Sequence, residues 1–182
     1  MKIFNLYSTQ DVKVEDPALK SVINLDEKLV LKTAGRAKGK FEKTKVNIIE
    51  RLANLVAVSA HRGKKHKIIT GHASGKYSKN MKIVLEALRI IEEKTKQNPV
   101  QVLVKAIENA APRDEITVIE YGGARYPQAV DVSPLRRLNI TLRNIIHGSY
   151  DKSFNKKTKI QEALAREIIL ASEGNMESAA MS

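Results

Sequence analysis

Residues 110–143 read AAPRDEITVIEYGGARYPQAVDVSPLRRLNITLR, and this stretch decides the fold. Pro112 ends a preceding helix, because its ring nitrogen has no hydrogen to give the helical ladder. Residues 116–121 are mostly β-branched and aromatic, a strand composition. Gly122 and Gly123 supply the two positive-φ positions of a type I′ hairpin turn. The return strand carries Arg125, Tyr126, Val130 and Val132, and Pro127 confines it to an edge, where a missing N–H breaks no ladder. Ser133 and Pro134 open the next helix, serine as N-cap and proline at the first helical position. The reading is helix, hairpin over residues 114–131, helix. A two-stranded hairpin is marginal alone in water, and no third strand flanks this one. It is therefore expected to be an arm that leans on helices or on a partner. Arg113 stands at its foot, Arg125 just past its tip, and Arg136 and Arg137 in the first turn of the following helix. Cations there oppose the helix dipole, and an outside anion such as a phosphate would relieve them.

Outward from the hairpin the periodicity is helical. Residues 46–58 form a first helix, with Val46, Ile49, Ala53 and Val56 in one stripe and Ile48, Leu52 and Leu55 widening it. Residues 80–96 form a second, built on Met81, Val84, Leu85, Leu88 and Ile91, with Glu86, Arg89 and Glu93 on a solvated face. Asn98 and Pro99 cap a third, containing Val100, Leu103, Val104 and Ile107. After the hairpin, Leu135, Leu138, Leu142 and Ile145 give the fourth helix its core face. Arg136, Arg137 and Arg143 fall on its other faces, Arg136 and Arg143 two turns apart on one side. Gly148 either ends this helix or is absorbed in it. Thr158 with Gln161 reads as a capping box for a fifth helix, built on Ile160, Leu164, Ile168 and Ala171 and ended by Gly174. The fold class is mainly α: a single-domain bundle of about five core helices, with a β-hairpin protruding between the third and fourth. Residues 1–45 read as an irregular N-terminal segment and basic arm, and residues 46–182 as the helical domain. Asp16 and Pro17 cap a single helical turn in the N-terminal segment, which either wraps the core or lies on a partner.

Of 182 residues 42% are hydrophobic but only 4% aromatic, with no Trp, so the core must be aliphatic. No Cys is present, which excludes disulfides, thiolate metal sites and a cysteine nucleophile, and fits a reducing cytosol. No apolar run approaches the roughly 20 residues of a membrane span, and the first residues lack a signal-peptide core. The net charge of +12 is segregated. Residues 36–82 hold 13 cations against Glu42 and Glu50, and residues 136–159 hold seven against Asp151. A surface charged only for solubility would not need this clustering, which points to a polyanion. Arg36, Lys38, Lys40, Lys43 and Lys45 form an arm made flexible by Gly35 and Gly39, with Phe41 as a ring for stacking or anchorage. Such an arm is expected to order on RNA. A long basic loop over residues 59–79 adds Lys64, Lys65 and Lys76.

That loop holds two motifs that do not carry their usual chemistry. Gly71, Gly75 and Lys76 suggest a P-loop, but three residues separate the glycines and Tyr77 stands where Ser or Thr is needed. His61, His66 and His72 have no nearby carboxylate or Cys and match no zinc spacing. No paired carboxylates or His–carboxylate arrangement support an enzyme acting on RNA, and no cofactor or metal is implied. A DNA-binding or chromatin-like protein would need a base-reading helix after a short turn, and neither is evident. What remains is a nonenzymatic RNA-binding protein whose contacts are mostly Lys and Arg to phosphate.

The stretches APRDE, YGGARYPQAVDVSPLRR and Leu142-Arg143, with EEKTKQNPVQVLVKAIENAAPR upstream, resemble the universal small-subunit ribosomal protein seven family in its archaeal and eukaryotic form. The resemblance implies a primary rRNA-binding protein of the small ribosomal subunit, in the cytoplasm. Such a protein starts assembly of the head domain beside other ribosomal proteins, its hairpin near the exit-site tRNA and the mRNA exit path. It places Tyr121, Gly122, Gly123, Arg125 and Tyr126 at the tRNA- and mRNA-proximal tip. Arg113, Arg136 and Arg143 match basic positions of the family, whereas Arg137 is Gln-like in bacterial members. Arg36, Lys38, Lys40, Lys43, Lys45, Lys64, Lys65 and Lys76 are assigned to rRNA by location and charge. Relatives run on past the fifth helix into a basic segment. The chain stops at Ser182, so that tail is expected to be truncated or shed.

Overall fold

A computed structural model describes residues 2–29, 32–33, 37–39, 41–58 and 75–181. The order is α1 (Pro17–Lys20), a 3-10 turn (Glu42–Lys45), α2 (Ile48–Val56), α3 (Tyr77–Thr95), α4 (Pro99–Ala110), β1 (Asp114–Tyr121), β2 (Ala124–Asp131), α5 (Pro134–Ser153) and α6 (Ile160–Ser172). Helix α6 is the hub and packs on α3, α4 and α5, while α2 packs on α3 and α5. The predicted stripes meet in one aliphatic core: Ile48, Ile49, Leu52, Leu88, Ile91, Leu103, Ile107, Leu138, Leu142 and Ile145 are fully buried. No described helix is long and apolar enough to cross a membrane.

The N-terminal segment wraps this core. Ile3 and Leu19 are buried in the same cluster as the helical stripes. Backbone groups of the segment are held by side chains of α4: Gln101 accepts from the Lys13 N–H and donates to the Lys13 carbonyl, at 2.8 and 3.1 Å. Glu108 accepts from the N–H groups of Glu15 and Asp16, at 2.6 and 3.0 Å. Asp16 caps α1 as expected, accepting from the Ala18 N–H at 2.9 Å.

Helix starts follow capping chemistry in part. Asn47 and Asn98 accept from the N–H groups of Ile49 and Val100, at 2.9 and 3.0 Å. Helix α3 begins at Tyr77, earlier than expected, because the half-buried Tyr77 side chain extends the core row of Met81 and Val84 backwards. Ser133 stands at the N-cap of α5 without a side-chain capping bond. The capping box of Thr158 and Gln161 is not formed. Lys159 is the N-cap of α6, with no side-chain cap, and Gln161 donates instead to Glu86 of α3 at 3.4 Å.

Gly148 is absorbed into α5, and its missing Cβ has a cause: a methyl group there would sit 2.5 Å from the Ala179 Cβ. The chain after α6 packs back at this point. Ser178 Oγ and the Ala179 N–H both donate to Glu167 Oε2, at 2.9 and 3.1 Å, and Lys152 pairs with the other oxygen.

The hairpin spans Asp114 to Asp131, and its strands pair with Asp114 opposite Asp131 and Tyr121 opposite Ala124. Gly122 and Gly123 take φ of 58° and 81°, as a type I′ turn requires. It does not lean on the helices along its length: Ile116, Val118, Tyr121 and Tyr126 remain 75%, 58%, 82% and 58% exposed. The Val132 N–H, donating to the Arg113 carbonyl at 2.9 Å, closes its base.

Candidate nucleic-acid interface

The arginines at the hairpin joints have three different fates. Arg136 is exposed and forks onto Glu115 of β1, Nε to Oε2 at 2.6 Å and Nη2 to Oε1 at 2.7 Å. That hydrogen bonding holds the Glu115 carboxyl below its ordinary range and raises Arg136 above its own. Arg137 is buried, against the expectation that it lies off the core face. Its Nη2 donates to Asp16 Oδ2 at 2.9 Å and its Nε to the Pro112 carbonyl at 3.1 Å. A residue spent on this internal crosslink is not available to a phosphate. Arg143 is exposed, and no carboxylate holds it among the described residues. The helix dipole at the start of α5 is therefore answered largely from within, by Glu115 and Asp16.

Arg136 and Arg143 line one open groove of about 390 Å³, together with Asn139 between them, Val22, Thr44 of the 3-10 turn and Phe41 at its N-cap. The fold thus brings the end of the basic arm beside the arginine face of α5. Lys43 and Lys45 flank Thr44 and are exposed. The arm is shaped locally by Glu42, whose Oε2 accepts from the N–H groups of Gly39 and Lys38 at 2.7 and 2.8 Å. Those bonds, Gly39 first, hold the Glu42 carboxyl below its ordinary range. Gly39 serves this close approach as well as flexibility, since a Cβ there would meet Glu42 Cδ at 3.0 Å. The start of the arm is pinned to the core. Thr33 donates twice to the buried Glu50, at 2.8 and 3.0 Å, and Lys32 lies 5.5 Å from the Tyr77 ring centre, within cation–π range. Burial, with the charge of Glu50, pushes the Tyr77 hydroxyl up to about 12.

Asn139 of this groove, and Arg51 buried behind it, escaped sequence reasoning. Asn139 is held from below by Arg51, whose Nη2 donates to Asn139 Oδ1 at 2.7 Å and whose Nη1 donates to the Val22 carbonyl at 3.3 Å. Arg51 is buried inside the α2 stripe, and burial lowers its pKa. An arginine within an apolar run was the one available signal. Its partner lies 88 positions away and left none.

The remaining predicted residues are distributed more widely. Lys38 and Lys76 are exposed, as is Arg113 at the hairpin foot. At the tip, Arg125 pairs across the strands with Glu120 at 3.6 Å. Arg36, Lys40, Lys64 and Lys65 lie outside the described residues, as do His61, His66 and His72. No group of His, Asp or Glu among the described residues is arranged to hold a metal ion.

The model of the family described as ribosomal protein S7p/S5e matches residues 20–182. The chain is 50% identical over 182 residues to the small ribosomal subunit protein uS7 of Nanoarchaeum equitans, covering 100% of this chain and 92% of that protein. It is 46% identical over 179 residues to the small ribosomal subunit protein uS7 of Methanococcus maripaludis strain C7, covering 97% of this chain and 89% of that one. A family match over nearly the whole chain, on a helical bundle with an exposed hairpin, leaves one assignment: the chain belongs to the ribosomal protein S7p/S5e family.

Proposed function

We propose that this protein is a nonenzymatic, structural component of the small ribosomal subunit that binds rRNA through the face carrying Arg136, Arg143 and the basic arm. The observation that carries this reading is the convergence of both arginines and the 3-10 turn of the arm on one groove. Arg143 there is an unengaged cation among the described residues, and guanidinium is suited to phosphate. Contacts of this kind recognise RNA mainly through its backbone and shape. Arg113, Lys38, Lys43, Lys45 and Lys76 extend the positive surface, and Arg137 serves the fold instead.

Within the subunit, the protein binds the rRNA of the head domain early in assembly, beside neighbouring ribosomal proteins. The hairpin reaches toward the exit-site tRNA and the mRNA exit path. Its exposure along both strands and its glycine tip support this division between an rRNA-binding foot and a functional tip. The test is gradient sedimentation of the tagged full chain from cells. The protein is expected in the small-subunit fractions, and protein found only in the ribosome-free fractions would contradict the proposal.

A further inference from the structure

On the reading that the chain binds RNA, we infer that the groove on α5 takes a single unpaired RNA base, stacked on Phe41, with Asn139 donating to its edge and Arg143 holding the adjoining phosphate. Three features of the groove converge on this ligand. Phe41 is 65% exposed on one wall, in a chain with only 4% aromatic residues. Such a ring offers a stacking face that any base can use. Val22 and Leu135 give the groove an apolar lining, which suits the faces of a base better than a sugar or a phosphate.

Asn139 adds selectivity. Arginine carries only donors, so the atom facing Arg51 must be the amide oxygen. The NH₂ group is then the part left to the groove, and it has no partner among the described residues. A preset donor pair recognises an acceptor on a base edge, such as a ring nitrogen or carbonyl oxygen, and does not accept from an exocyclic amine. Arg136 on the same groove is turned toward Glu115, so the phosphate next to the base falls to Arg143, while Arg136 stays on the exposed face for the RNA backbone beyond it. Bases inside a duplex are stacked and have no free face, so the ligand is an unpaired nucleotide in a loop or bulge.

The chain has no Trp, so Phe41→Trp creates a single fluorescent reporter that keeps a stacking ring. The full chain is titrated with small-subunit rRNA while binding is followed independently by filter retention. The tryptophan emission is expected to be quenched in step with binding. Phe41→Leu is expected to lose about ten-fold in affinity with an unchanged salt slope, because stacking releases no counterions. Circular dichroism checks that the variants fold. Unchanged emission at saturation, or an unchanged affinity of Phe41→Leu, would overturn the base site and leave the RNA reading intact. Failure of the wild type to retain rRNA would overturn the RNA reading itself, and the base site with it.

Discussion

Asp16 and Arg137, 121 positions apart in sequence, meet at 2.9 Å between carboxylate Oδ2 and guanidinium Nη2. The pair joins the N-terminal segment to the first turn of α5 and, through the Pro112 carbonyl, to the foot of the hairpin. It separates two adjacent arginines by role: Arg137 organises the fold, while Arg136 faces outward with Arg143. Side-chain exposure is 9% for Arg137 and 21% for Asp16, so the pair is largely removed from water.

Arg137→Met should therefore lower stability by about 2–3 kcal/mol, since a charge-assisted hydrogen bond is removed and the partly buried Asp16 keeps an unpaired charge. Arg136→Ala should leave the urea midpoint close to the wild-type value, because that pair is solvent-exposed. Urea unfolding of both variants measures the contrast. Equal midpoints would show that Arg137 is not a structural residue.

The Asp16–Arg137 pair should also be visible in the acid limb of stability. Burial acts to raise the Asp16 carboxyl, but bonds from the Ala18 N–H and from Arg137 outweigh this and leave it below its ordinary value of 3.8. A carboxyl depressed by folding contributes stability above its unfolded value and loses it as pH falls through the folded one. Asp16→Asn should destabilise the protein near neutral pH, and the gap from wild type should close as the medium is acidified below 3.8. Urea midpoints across a pH series test this, and a gap that stays constant into acid would refute it.

Gly148→Ala reverses a familiar expectation. In an ordinary helix interior the change stabilises by about 1 kcal/mol. Here the new methyl would lie 2.5 Å from the Ala179 Cβ and 3.2 Å from the Glu167 carboxyl carbon. The chain after α6 should be displaced, so residues 175–181 become sensitive to protease and thermal stability falls. A more stable variant with its C-terminal residues still protected would contradict this packing.

Removing residues 122–126 should spare the fold and rRNA binding, because the tip buries almost nothing. Translation assays with such a variant should show altered tRNA or mRNA handling in subunits that still assemble. Loss of rRNA binding on removing the tip would contradict the division between foot and tip.

The sequence made the helices legible where one apolar stripe met a local cap, as at Asn98 and Pro99, and made the hairpin legible because Gly122 and Gly123 admit few alternatives. It misled where a local signal competed with tertiary contacts. Thr158 and Gln161 have capping-box spacing, yet Gln161 turns to Glu86 of α3. At Gly148 it left open whether the helix ends or continues, because the smallness of this residue serves a neighbour 31 residues on. The groove was half legible. Its arginines and Phe41 stood out as residue types, but Asn139 is set by Arg51 across 88 positions and Arg137 is taken up by Asp16 across 121. No local pattern encodes such pairings.

The central claim is that the Arg136–Arg143 face binds rRNA rather than polyanions in general. The most direct measurement titrates the full chain with small-subunit rRNA against excess duplex DNA across a salt series, for wild type and for the Arg136→Ala, Arg143→Ala double variant. Wild-type binding to rRNA should survive the DNA competitor. The double variant should bind rRNA more weakly, with unchanged helicity and with a salt slope shallower by about 0.7–0.9 for each phosphate it no longer neutralises. Equal affinity for rRNA and DNA with equal slopes, or a double variant that binds as the wild type does, would contradict the claim.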